Sequence, residues 1–119
     1  MQRQGVNCPE LPPPVGPFSH LVNAGAALYL SGQVAQDPDT GKLIEGDVAA
    51  QTTRIFANLQ AVLKTVDRDL RHIVKVTVFL TDMADFAEMN AVYARHFELP
   101  YPARTTCSVQ ELIHQAAAR

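Results

Sequence analysis

The sequence predicts a single α/β (α+β) domain in which a mixed β-sheet carries two α-helices packed on one face. Three observations carry that prediction. Segments that alternate with a period of two are interspersed with segments whose apolar residues recur every three or four positions, in the order strands, helix, strand, helix, strand. Each helical segment has one apolar stripe and therefore buries one side only. The stretch Ile73 to Thr81 (IVKVTVFLT) sets an apolar row on one face of a strand. Half-buried helices need a layer to lie on, and a sheet provides it.

The elements follow in chain order. Residues 1–15 contain Pro9, Pro12, Pro13 and Pro14 and read as an extended, proline-rich arm, which leaves 16–119 as the domain. Gly16-Pro17 marks a turn. Leu21 to Val22 begins a short strand that Gly25 breaks. Ala27 to Gln33 (ALYLSGQ) is the next strand, with Leu28 and Leu30 on one face and Tyr29 and Ser31 on the other. Asp37-Pro-Asp-Thr-Gly41 is a turn, because proline fixes φ and glycine permits positive φ. Lys42 to Ile44 returns from it as a short hairpin arm.

Asp47 caps a helix that runs to about Val66. Its stripe is Val48, Thr52, Ile55, Leu59, Val62 and Val66, widened by Phe56 and Leu63. In the strand that follows, Val74, Val76, Val78 and Leu80 share one face; Ile73, Lys75, Thr77 and Phe79 share the other. Asp82 caps a second helix that reaches roughly Phe97 and buries Phe86, Met89, Tyr93 and Phe97. Pro100 and Pro102 end it, and Arg104 to Val109 is extended again. Ile73, Phe79 and Tyr29 are left on the open sheet face, which a second copy of the chain is expected to cover.

Composition closes several classes of function. The 119 residues carry 10 Lys plus Arg against 12 Asp plus Glu, a formal charge of −2 with no basic run, so no nucleic-acid partner is expected. The longest apolar stretch, around Leu21 to Leu30, is interrupted by Asn23 and Gly25 and is too short to span a bilayer. Residues 1–14 show no apolar run like that of an export signal, so the expected address is the cytoplasm. Cys8 and Cys107 then read as free thiols. His20, His72, His96 and His114 are too dispersed for a metal site, and no metal is expected.

A few residues invite a chemical reading. Asn90 lies four residues after Phe86 and three before Tyr93, which puts its amide on the edge of the apolar stripe. It is either a core-edge amide bonded to a neighbouring backbone group or a polar group aimed at a pocket. Arg104 opens an uncharged strand just after Pro-Ala; a solvated arginine is the plain reading, and a planar fork for a carboxylate is the functional one. Ser31-Gly32 is a simple turn or a pair of donors to a ligand. Cys107 reads as a small buried hydrophobe, and Asp82 and Asp85 as helix-start acids.

Taken in order, several fragments resemble the RidA/YjgF family of imine and enamine deaminases, also called the endoribonuclease L-PSP family. They are Gly16-Pro-Phe-Ser19, Leu30-Ser-Gly-Gln33, Asp37-Pro-Asp-Thr-Gly41, Gly46-Asp47 with Gln51-Thr52, Val74 to Asp82, Asp85 to Asn90, and Pro102-Ala-Arg-Thr105. The match is collinear over roughly residues 14–110. The resemblance implies a chorismate-mutase-like fold and a homotrimer with a cleft at each subunit boundary. It also implies cofactor-free hydrolysis of 2-aminoacrylate or 2-iminopropanoate to a 2-keto acid and ammonia.

By the same resemblance, Arg104 pairs with the substrate carboxylate, and Ser31, Gly32 and Asn90 line the pocket. Thr106 stands where relatives often carry Cys. Phe18 stands where many deaminating members have Tyr, so a phenol hydroxyl is absent there. The family continues with a final interior strand of the type Val-Glu-Ile-Glu-Ala, whose glutamate helps position the water. Here the chain reads Ser108 to Arg119 instead. That tail looks helical, with Ser108 and Glu111 fitting a capping box and three alanines favouring helix, and the family's last strand is missing. Glu111 is a candidate replacement for the lost acid. The alternative to a deaminase is a small-molecule-binding or regulatory member that keeps the cleft without turnover. An RNA-cleaving role is disfavoured by the charge.

Overall fold

The computed structural model describes residues 2–113. Among them the order is β1 Gln4–Val6, β2 Leu21–Asn23, β3 Leu28–Leu30, α1 Val48–Lys64, β4 Lys75–Leu80, α2 Phe86–His96 and β5 Ala103–Ser108. The α/β class and the placement of both helices on one side hold. Val76, Val78 and Leu80 of β4 and Leu30 of β3 pack into the cluster made by Phe56 and Leu63 of α1 with Met89 and Tyr93 of α2. On the opposite face Tyr29 and Phe79 are exposed.

The sheet is divided. β1, β2 and β3 form an antiparallel ladder in which Leu21 faces both Val6 and Leu30. β4 and β5 form a separate parallel pair, with Val76 opposite Arg104 and Val78 opposite Thr106. The single mixed layer expected from sequence is therefore in two hydrogen-bonded pieces held under common helices. Among the described residues no strand follows β5, so nothing stitches β3 to β4.

The proline-rich arm is corrected most. Gln4–Val6 pairs with β2, and Cys8 and Leu11 are buried against Leu21 and Val62. The arm thus supplies part of the core, because apolar Val6, Cys8 and Leu11 gain more from burial than an extended arm could offer. The His20 ring fixes it: Nδ1 accepts the Cys8 N–H at 2.9 Å, while Asn7 Oδ1 accepts the His20 N–H at 3.0 Å. Both cysteines are free thiols.

Other local expectations hold with shifts. Asp47 caps α1 by accepting the Ala50 N–H at 2.9 Å. The return from the Asp37–Gly41 turn is a bridge between Gln36 and Leu43 instead of a strand. The Asp37 carboxylate accepts the Thr40 and Asp39 amides, which hold its pKa below the usual value. Asp82 caps a 3-10 turn, Met83–Asp85, and α2 begins only at Phe86. Val74 is 80% exposed while Ile73 packs on the core, the reverse of the expected faces. A 3-10 turn at Leu70–His72 delivers Ile73 inward, and the pleat of β4 starts after it.

The capping box expected at Ser108 and Glu111 does not form. Ser108 is paired with Leu80 in β5, and the Val109 N–H still donates to the Leu80 carbonyl at 2.8 Å, so ladder pairing overrides helix propensity. No helix occurs through Ile113, and the rest of the expected tail helix lies outside the described residues.

Candidate functional site

Strand period and helix period converge on Arg104. It stands opposite Val76, and the two-residue repeat puts Arg104 and Thr106 on the face of β5 that lies under the helices. Above them α2 presents Phe86, Asn90 and Tyr93 at i, i+4 and i+7, one face of a helix. Arg104 Nη1 donates to Asn90 Oδ1 at 2.7 Å. The guanidinium carbon lies 4.6 Å from the Tyr93 ring centroid and 5.6 Å from that of Phe86, within cation–π range.

Of the two readings of Asn90, the bond goes to a side chain and not to backbone. It uses one guanidinium N–H and the amide oxygen, so the Asn90 NH₂ and the other guanidinium N–H groups remain as donors. Among the described residues no carboxylate lies within ion-pair distance of Arg104. The cation is half-buried and held by an amide and two rings, an arrangement suited to an anion with two acceptor oxygens. The neighbouring Tyr93 hydroxyl is buried and has no hydrogen-bond partner among the described residues. Burial pushes its pKa up, and the Arg104 charge draws it partly back.

Phe18, Ser31 and Gly32 form a second group in the segments that enter β2 and leave β3. The Ser31 hydroxyl donates to the Ser19 carbonyl at 2.6 Å and the Ser31 N–H to the His20 carbonyl at 3.1 Å, which ties the end of β3 to the 18–20 segment. Phe18 and Gly32 border a shallow cleft together with Pro12, His20, Gln33 and Gln36. The space beside Gly32 is open: a Cβ there would meet nothing within 4 Å. Because the His20 Nδ1 is an acceptor, the ring proton sits on Nε2.

The structure thus gathers Arg104, Asn90 and Thr106 on one side and Phe18, Ser31 and Gly32 on the other. Among the described residues no hydrogen bond or ring contact joins the two groups. Glu111 is exposed and pairs with neither. Sequence reasoning placed Phe86 and Tyr93 in the core alone and missed that they also hold the guanidinium. It missed Asn58 as well, which is fully buried and donates from Nδ2 to the Gln36 carbonyl at 2.9 Å, fixing the 33–36 loop to α1. The spacing of Phe86, Asn90 and Tyr93 puts all three on one helix face without marking a guanidinium as their partner; Asn58, three residues after Ile55 and four before Val62, borders the stripe of α1 without marking the carbonyl it reaches.

Among the described residues no helix is long and apolar enough to cross a membrane. Comparison with known proteins matches residues 9–118 to the family described as Endoribonuclease L-PSP. The chain is 43% identical over 114 residues to Protein DfrA of Myxococcus xanthus, covering 94% of this chain and 87% of that protein. It is 34% identical over 107 residues to the 2-iminobutanoate/2-iminopropanoate deaminase of Dermatophagoides farinae, covering 90% of this chain and 84% of the relative. Among solved structures, E. coli TdcF with bound serine superposes with a TM-score of 0.85 at 30% identity, over 94% of this chain and 90% of that one.

Proposed function

The chain belongs to the Endoribonuclease L-PSP (RidA/YjgF) family, with its chorismate-mutase-like fold, and we propose that it hydrolyses small 2-imino or enamino acids to 2-keto acids and ammonia. The observation that carries this reading is the guanidinium of Arg104, held by Asn90 and Tyr93 with no carboxylate of the described chain upon it. The name of the mite relative, a 2-iminobutanoate/2-iminopropanoate deaminase, supports the substrate class. The serine bound to TdcF is likewise a small molecule with a carboxylate.

The chemistry asks little of the protein. In a substrate such as 2-iminopropanoate the C=N carbon is electrophilic already, more so when nitrogen is protonated. Arg104 grips the carboxylate through paired N–H donors, and the Asn90 NH₂ adds a donor beside it. Water adds to the carbon, its proton passes to nitrogen, and the carbinolamine collapses to the 2-keto acid with release of ammonia. An enamine first takes a proton on its β-carbon. Fixing the acid so that one face of the C=N bond meets water is the enzyme's main contribution. Loss of the fork costs about 2–5 kcal/mol, as for other hydrogen-bonded charge pairs.

A homotrimer completes the site in this reading. Phe18, Ser31 and Gly32 of one copy meet Arg104, Asn90 and Thr106 of the next. The separation of the two groups within one chain and the exposed Tyr29 and Phe79 support it. The test is release of ammonia and pyruvate when 2-iminopropanoate is generated in situ, together with a solution mass near three times 13.0 kDa. Arg104→Ala is expected to abolish the stimulation; equal rates for variant and parent overturn the assignment.

A second reading, a binder without turnover, draws on two observations: Phe18 has no phenol hydroxyl, and Glu111 stands apart from Arg104. Binding of 2-ketobutyrate or benzoate without imine hydrolysis selects it.

A further inference from the structure

We infer that Tyr93 is a positioning residue that sets the plane of the Arg104 guanidinium, a role that rests on Arg104 being the carboxylate anchor. An arginine on a strand has several rotatable bonds beyond Cβ, and a usable fork needs both its edge and its plane fixed. The Asn90 bond at 2.7 Å fixes one edge. It does not stop the plane from rotating about that bond. The Tyr93 ring, 4.6 Å from the guanidinium carbon, does.

A ring face is the right holder for this task. An aspartate would hold the cation by occupying the N–H groups that the substrate needs and would cancel its charge. An aromatic face attracts the cation through its quadrupole and leaves the in-plane N–H groups pointing outward. Tyr93 thus holds the anchor without consuming it.

Tyr93 is itself immobilised. It is 6% exposed and packs edge-on against Phe56 of α1 at 5.8 Å and tilted against Phe97 at 4.8 Å. Phe86 is more distant from the guanidinium and only half-buried, so it gives less constraint. The Tyr93 hydroxyl is buried and finds no hydrogen-bond partner among the described residues. The role therefore belongs to the ring and its electron density, not to the hydroxyl.

The experiment replaces Tyr93 in the full chain by Phe, by fluorinated phenylalanines of increasing fluorine content, and by Leu. Fluorination drains the ring face while nearly keeping its volume, so a packing role is left intact. Calorimetry reads the affinity for 2-ketobutyrate, NMR reads the Arg104 Nε–Hε resonance, and thermal melts report folding. Tyr93→Phe is expected to bind within twofold of the parent and to melt no lower. Affinity is expected to fall stepwise along the fluorinated series, to about three- to tenfold below Tyr93→Phe. The Arg104 Nε–Hε resonance is expected to shift in Tyr93→Leu, because the ring current of the nearer aromatic face is lost.

A flat affinity across the fluorinated series overturns the inference, as does an Arg104 resonance unmoved in Tyr93→Leu. Should Tyr93→Leu fail to fold, the fluorinated series decides alone. If the parent neither binds 2-ketobutyrate nor hydrolyses an imine, the proposed function fails. The Arg104 resonance along the series still decides whether the ring holds the guanidinium.

Discussion

Asn90→Asp is the substitution that questions the anchor most directly, because it changes one atom type and leaves the shape in place. Arg104 Nη1 stands 2.7 Å from the amide oxygen. A carboxylate there places opposite charges about 4 Å apart between centres, worth ~4 kcal/mol at an effective dielectric constant of about 20. Both side chains are half-buried, so solvent screening draws the value toward the ~1 kcal/mol typical of exposed pairs. A substrate carboxylate must then face a resident one competing for the same donors. At about 1.4 kcal/mol per decade, affinity for 2-ketobutyrate is expected to drop about 10- to 100-fold. Calorimetric titration of parent and variant measures it, with thermal melts as the control, since a new ion pair leaves stability equal or higher. The penalty is expected to shrink as salt is raised, because part of the repulsion is screened. A variant that binds the acid as tightly as the parent refutes the anchor role of Arg104.

Three further outcomes test the frame around the site. Asp47→Ala removes the oxygen that accepts the Ala50 N–H and is expected to cost about 1 kcal/mol in a denaturant titration. Asn58→Ala breaks the buried bond to the Gln36 carbonyl and is expected to cost about 1–3 kcal/mol, while amide hydrogen exchange speeds up around 33–36. Asp69, hydrogen-bonded to Arg71, has its pKa lowered from 3.8 to about 2. Its contribution is therefore present above pH 4 and fades as pH falls toward 2. The melting-temperature gap between parent and Asp69→Asn is expected to close over that window, and a gap that stays constant contradicts it.

Much of this architecture is written locally. The Asp47 cap, the Asp37–Gly41 turn and the alternating run of β4 depend on neighbours in the chain, and they appear where the sequence puts them. Asn90 could be singled out because it lies on the edge of an apolar stripe, and Arg104 because it is the one charge in an otherwise uncharged strand. What the sequence hides is contact across elements. Nothing local tells that Tyr93 serves both the aromatic core and a guanidinium fourteen residues from Asn90, or that Asn58 reaches a carbonyl 22 residues away. The buried Cys8 N–H finds its acceptor in a His20 ring that no periodicity marks. Val74 misled because its neighbours alternate correctly while the 3-10 turn before it resets the direction of entry.

The division of the sheet gives these contacts their weight. Arg104 hangs on β5, whose strand partner is β4; Ser31 and Gly32 directly follow β3, whose partner is β2. Among the described residues no ladder bond joins the two pieces, so their relative placement there is set by the side chains that both press against. Leu30 from one piece and Val76 and Val78 from the other meet at the cluster of Phe56, Tyr93 and Phe97. Backbone hydrogen bonds resist sliding through directional geometry, whereas apolar contacts resist it only through close packing. The aromatic knot therefore holds the half of the fold that bears Arg104 in register with the half that bears Phe18 and Gly32, while its Tyr93 ring lies against the guanidinium. A change in the volume of Phe56 is therefore expected to reach Arg104 through Tyr93, since Phe56 packs on that ring and the ring on the guanidinium.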